Sequence, residues 1–133
     1  MDEAAILQAS EADYMNTEQL AFFDLRLRKL REETLQEIEN IRQEIGHGNQ
    51  VSDVSDRATL EEEAMLVLRI ADRKQHLLRK IDAARQRIRS HEYGYCLESG
   101  EPIGIARLLI RPTAEYCTEI KTINEQREGS YED

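Results

Sequence analysis

Cys96 and Cys117 are the two cysteines of this chain, and each opens a segment in which a second metal donor belongs three residues on. A pair spaced C-x2-C wraps one side of a tetrahedral zinc ion, and two such pairs close the site. The first segment reads Cys96, Leu97, Glu98, Ser99 and the second reads Cys117, Thr118, Glu119, Ile120. Isoleucine cannot bind a metal, and a neutral serine hydroxyl substitutes poorly for thiolate. The frame is that of a zinc site with half its ligands missing, and only a nearby donor such as His91 could rescue it. No structural metal is therefore expected, and both cysteines are read as small buried hydrophobes.

A second chemical feature is cationic. Residues 69–89 hold Arg69, Arg73, Lys74, Arg79, Lys80, Arg85, Arg87 and Arg89 against Asp72 and Asp82. That is a local charge of +6 inside a chain of formal charge −9. Convergent Lys and Arg side chains can receive phosphates, although most of these eight belong on a solvated helical face. The overall negative charge repels nucleic-acid backbones, so autonomous DNA binding is not expected. No Gly-rich phosphate loop and no Ser/His/Asp order is recognisable, and His47, His76 and His91 are scattered. The reading is a binding protein and not an enzyme.

The elements that must carry these residues follow from the apolar spacing. Proline occurs only at Pro102 and Pro112, so long helices are permitted before them. Asn16 with Gln19 has the form of a capping pair, and Leu20, Phe23, Leu27, Leu30, Ile38, Ile41 and Ile45 then make one helical stripe interrupted by Thr34. The stretch GHGNQVSDVSD is a turn. After Asp56 a second stripe runs through Leu60, Ala64, Val67, Ala71, Leu78, Ile81 and Ile88, with Lys74 and Arg85 filling two seam positions. Steps of four and three alternate, which predicts an antiparallel coiled-coil hairpin over 16–92 with its tip at about 46–57.

Residues 1–15 are acidic and form either a short docking helix or a frayed arm. From Tyr93 the chain turns rich in glycine, so 93–133 is read as a small zinc-finger-like knob with short strands, followed by a C-terminal helix on which Tyr116, Ile120 and Ile123 share a face. The fold class is mainly α. No apolar run reaches the roughly 20 residues of a bilayer span, and the start lacks the positive flank of a signal peptide, so a cytoplasmic protein without membrane contact is expected.

YGYC at 93–96, GEPIGIARL at 100–108, RPTAEYC at 111–117 and SDVSDRATLEEE at 52–63 resemble the DksA/TraR family of bacterial transcription factors, and YMNTEQLAFF resembles the start of its body. Ser99 and Ile120 depart from the family's four cysteines, so the chain is similar to a zinc-independent branch of that family. The resemblance implies a monomer that binds bacterial RNA polymerase and inserts its coiled coil into the secondary channel. It places Asp53, Asp56, Arg57 and Ala58 at the tip, beside the catalytic centre, in a role that modulates initiation. It also implies a site for guanosine tetraphosphate, completed by polymerase, at Lys80, Arg111 and Lys121, with Arg73 and Leu77 as neighbours. Two other readings are a Gre-like transcript cleavage factor, which uses a related carboxylate pair, and a plain coiled-coil adaptor. The knob follows the DksA pattern rather than the larger β-domain of Gre factors.

Overall fold

Every described segment of secondary structure is helical. The computed structural model describes residues 1–47 and 54–117, with side chains for all of these except 46, 47 and 54–58. In chain order the elements are α1 (Glu3–Gln8), a 3-10 turn (Glu11–Asp13), α2 (Thr17–His47), α3 (Val54–Arg89) and α4 (Ile105–Ile110). The chain divides into two compact units, one of Met1–Leu27 with Ala83–Asp133 and one of Arg28–Asp82.

In the second unit α2 and α3 run antiparallel, because an early residue of one pairs with a late residue of the other. Arg31 Nε lies 2.9 Å from Asp82 Oδ1, and Lys74 Nζ pairs with Glu37. The seam is the predicted one except at Ile45, which is exposed: Thr34, Ile38 and Ile81 are buried, and Leu30, Ile41, Leu60, Ala64, Val67, Ala71, Lys74 and Leu78 are half-buried. Thr34 sits among them at little cost, since its hydroxyl donates to the Leu30 carbonyl at 2.7 Å. Lys74 lays its stem on the seam and carries its ammonium out to Glu37.

The first unit is built on the opposite ends of the same two helices. Asn16 Oδ1 accepts from the Gln19 N–H and Gln19 Oε1 accepts from the Met15 N–H, both at 2.9 Å, so two orphan donors at the start of α2 are satisfied reciprocally. At the other end α3 stops in a Schellman turn. Glu92 N–H donates to the Arg87 carbonyl at 2.8 Å and His91 N–H to Ile88 at 3.2 Å, with His91 left-handed at φ 62°.

Residues 1–15 prove to be a docked segment rather than a frayed arm. Asp2 caps α1 by accepting from Ala5 N–H at 2.8 Å, and Ile6 is fully buried where α1 meets α4. Arg26 ties the junction, with one nitrogen 2.7 Å from Glu3 and the other donating to the Leu109 carbonyl at 3.0 Å.

The knob corrects the expectation of short strands. Among the described residues only a single antiparallel bridge, Tyr95 with Pro102, has sheet character, and Ile105–Ile110 forms a helical turn and a half instead. The C-terminal helix proposed from Tyr116, Ile120 and Ile123 lies outside the described residues beyond Cys117.

Candidate functional site

Three groups of residues were singled out by sequence, and the structure treats them differently. The first is the cysteine frame in the knob. Cys96 is 3% exposed and Cys117 is half-buried, so only one of the two is the buried hydrophobe expected. The backbone joins their segments, with Leu97 N–H donating to Glu115 O at 2.8 Å. Burial pushes the Cys96 thiol up, but the Ser99 hydroxyl and the N–H groups of Cys117, Ser99 and Glu98 all donate to its sulfur and bring it from 9.0 down to about 6.

That arrangement is a loop wrapped around one sulfur, not a cage for an ion. Ser99 is exposed, and its oxygen accepts from Glu101 N–H at 3.2 Å. Among the described residues no three His, Cys, Asp or Glu side chains converge. With isoleucine at position 120, the donor set does not fit the tetrahedral zinc of a four-cysteine finger.

Aromatic packing and phenolic hydrogen bonds hold the knob instead. Tyr93 is fully buried with its ring centroid 5.5 Å from that of Phe23, and its hydroxyl donates to Pro112 O at 2.7 Å. Tyr14 reaches across 80 residues of sequence: its hydroxyl donates to Gly94 O at 2.5 Å and accepts from Gly104 N–H at 2.9 Å, while its ring packs edge-on to Tyr95. Burial raises the pKa of both phenols, so each stays a neutral donor through the physiological range. Gly94 is required where it stands. Its φ is +92°, and an added Cβ would lie 2.8 Å from Met15 Cγ.

A pH dependence follows from the depressed thiol. Its folded form favours thiolate, so the stabilisation is complete above pH 9 and is lost as pH falls through about 6. The melting temperature of the wild-type chain, minus that of Cys96→Ala, is therefore expected to shrink on acidification from pH 9 to pH 6. A constant difference would remove the charged-sulfur account.

The second group is the tip. Asp56, Arg57 and Ala58 fall in the first turn of α3, which begins at Val54, and Asp53 lies outside the described residues. A carboxylate in a first helical turn is favoured by the helix dipole.

The third group is basic. Arg73 and Lys80 are exposed and Leu77 half-buried on one face of α3 in the second unit, spaced by four and three. Arg111 is exposed at the C-cap of α4 in the first unit, and Lys121 lies outside the described residues. Sequence reasoning missed a groove of about 360 Å³ in the first unit, floored by Leu20, Ala21 and Ile88 and rimmed by Asp24, Arg85, Arg89 and His91. Its rim is engaged by an Arg85–Asp24 pair at 3.3 Å.

Residues 19–88 match the model of the DnaK suppressor protein DksA N-terminal domain, and residues 91–119 match the prokaryotic dksA/traR C4-type zinc finger. The chain belongs to the DksA/TraR family. A DksA of Caulobacter vibrioides, described as an RNA polymerase-binding transcription factor, is 39% identical over 94% of this chain and 89% of its own length. The Escherichia coli K12 protein of the same description is 38% identical over 87% of this chain and 78% of its own. Among solved structures, transcription factor DksA2 from Pseudomonas aeruginosa superposes with a TM-score of 0.85 at 41% identity, covering 96% of this chain and 98% of that one. Membership in the DksA/TraR family thus coexists with a zinc-finger segment whose own residues do not fit zinc. No helix among the described residues is long and apolar enough to cross a membrane.

Proposed function

We propose that this protein is a monomeric regulator of bacterial RNA polymerase that inserts the segment between α2 and α3 into the secondary channel and modulates initiation with guanosine tetraphosphate, without needing zinc. What carries the reading is the match to relatives described as RNA polymerase-binding, which extends over 94% of the chain. It is supported by the antiparallel pairing of α2 and α3, which puts Asp56 at the start of the returning helix. The protein acts by contact and not by catalysis.

Lys80, Arg111 and Lys121, with Arg73 and Leu77 beside them, supply cations for the tetraphosphate, and polymerase supplies the rest of the pocket. An Arg fork and a Lys point charge are the side chains that receive phosphate groups. Zinc is dispensable because Tyr14, Phe23 and Tyr93 do the work of holding the knob.

Transcription in vitro from a ribosomal RNA promoter, with chelator present and with or without guanosine tetraphosphate, tests partner, ligand and metal independence together. The protein is expected to inhibit in chelator, and more strongly with the nucleotide. Lys80→Ala and Arg111→Ala are each expected to remove most of the nucleotide-dependent increment, a loss of about tenfold or more in effector affinity for a buried charge-assisted contact. Inhibition by the nucleotide-free protein should survive both substitutions, and an unaltered nucleotide response would remove the phosphate-site assignment. Metal analysis of the purified protein is expected to find well under one zinc per chain, with unchanged helicity and melting after chelation. A tightly held equivalent would refute metal independence.

A further inference from the structure

Arg111 is a cation of the nucleotide assignment that lies in the first unit, and its backbone is fixed on every side while its guanidinium is free. Its own N–H donates to the Arg107 carbonyl at 2.8 Å, and its carbonyl accepts from Ala114 N–H at 3.0 Å. The carbonyls on either side of it are gripped by side chains from elsewhere in the unit: Leu109 O by Arg26 Nη2 at 3.0 Å, and Pro112 O by the Tyr93 hydroxyl at 2.7 Å. Between those grips Ile110 and Arg111 both stand exposed, Ile110 at 88%. Among the described residues no side chain pairs with the Arg111 guanidinium. A pinned turn that displays a free cation is preorganised for an anion, because little freedom remains to be lost on binding.

Arg26 is itself held. Its Nη1 lies 2.7 Å from Glu3 in the first turn of α1, and its Cζ lies 6.0 Å from the centre of the Phe22 ring, one turn earlier in α2. Ile6, fully buried, seats α1 on α4. Leu109 belongs to the last turn of α4, where carbonyls have no partner within the helix, so Arg26 caps that end and sets the direction in which the chain leaves toward Arg111. The planar fork of one guanidinium thus bridges the acidic arm and the turn. We propose, on the nucleotide reading above, that Arg26 oriented by Glu3 is a positioning residue for guanosine tetraphosphate: it holds the turn from Leu109 to Pro112 so that Arg111 meets a phosphate group. The N-terminal helix α1 thereby belongs to the effector response, although neither Glu3 nor Arg26 touches the ligand.

The readout is the concentration of guanosine tetraphosphate that gives half of the nucleotide-dependent inhibition, with the full-length chain, purified bacterial RNA polymerase and a ribosomal RNA promoter. Arg26→Ala is expected to raise it about three- to tenfold, because the released turn must be ordered again on binding. Glu3→Ala, at an exposed position, leaves Arg26 in place but unsteadied and is expected to raise it about two- to threefold. Inhibition without nucleotide should stay within about twofold of wild type in both. The charge swap Glu3→Arg with Arg26→Glu separates positioning from mere docking of the arm. It restores the ion pair, and with it the melting temperature, but a carboxylate cannot donate to the Leu109 carbonyl, so the nucleotide response should stay impaired. An unaltered half-maximal concentration in Arg26→Ala would overturn the proposal, and so would a swap that recovers both melting and nucleotide response. Equal loss of inhibition with and without nucleotide would also overturn it, since Arg26 would then serve only the fold. A wild-type chain that ignores the nucleotide, or Arg111→Ala with an undiminished response, would instead defeat the nucleotide reading on which it rests.

Discussion

Asp56→Asn is expected to abolish regulation of initiation while leaving affinity for RNA polymerase within about twofold. The substitution removes one charge and keeps the shape of the side chain. Its cost to folding is small, because a carboxylate in the first turn of α3 contributes only about 0.3–1 kcal/mol through the helix dipole. What it takes away is a negative charge at the end of the hairpin, where the proposal puts the polymerase active centre. Electrostatic contacts in such a water-poor site weigh far more than at an open surface. A regulator whose tip acts and whose body anchors must separate the two effects. An equal fall in binding and regulation would make the tip an anchor. Stimulated cleavage of transcripts in backtracked complexes, dependent on Asp53 and Asp56, would favour the cleavage-factor reading.

The second large effect is on stability. Phe23→Ala is expected to cost about 3–5 kcal/mol, since Phe23 is fully buried and its removal opens a cavity against Tyr93 and Phe22. Domains of this size have only about 5–15 kcal/mol in total, so the variant should lose roughly a fifth or more of its stability. Urea unfolding followed by tyrosine fluorescence measures it. A loss under about 1 kcal/mol would mean that the aromatic cluster is not what holds the knob. Chelation and Phe23→Ala should thus have opposite outcomes: the metal-binding frame is dispensable and the aromatic core is not.

How much of this was legible in the sequence depended on whether a period was present. The seam positions of α2 and α3, from Leu20 to Ile41 and from Leu60 to Ile88, repeat at four and three, and the structure buries or half-buries them all. The Asn16–Gln19 cap was legible because its chemistry is local. Tyr14 and Tyr93 were not, because their partners, Gly94, Gly104 and Pro112, come from turns that no periodicity links to them. The α4 turn was hidden by Gly104 at its start and by its length of six residues, too short to show a helical period. At the candidate site, Ser99 and Ile120 showed from residue type alone that the four-cysteine donor set is incomplete. The hydrogen bonds from backbone N–H groups that now converge on Cys96 needed coordinates.

The segment between α2 and α3 is proposed to reach the catalytic centre of RNA polymerase. Replacing the catalytic magnesium of polymerase by ferrous iron generates hydroxyl radicals at that centre, and these cut any polypeptide lying beside it. In a complex with this protein, end-labelled chain should be cut around residues 50–58 and left intact along the remainder of α2 and α3. A complex that forms with wild-type affinity yet shows no cut in that segment would contradict the account.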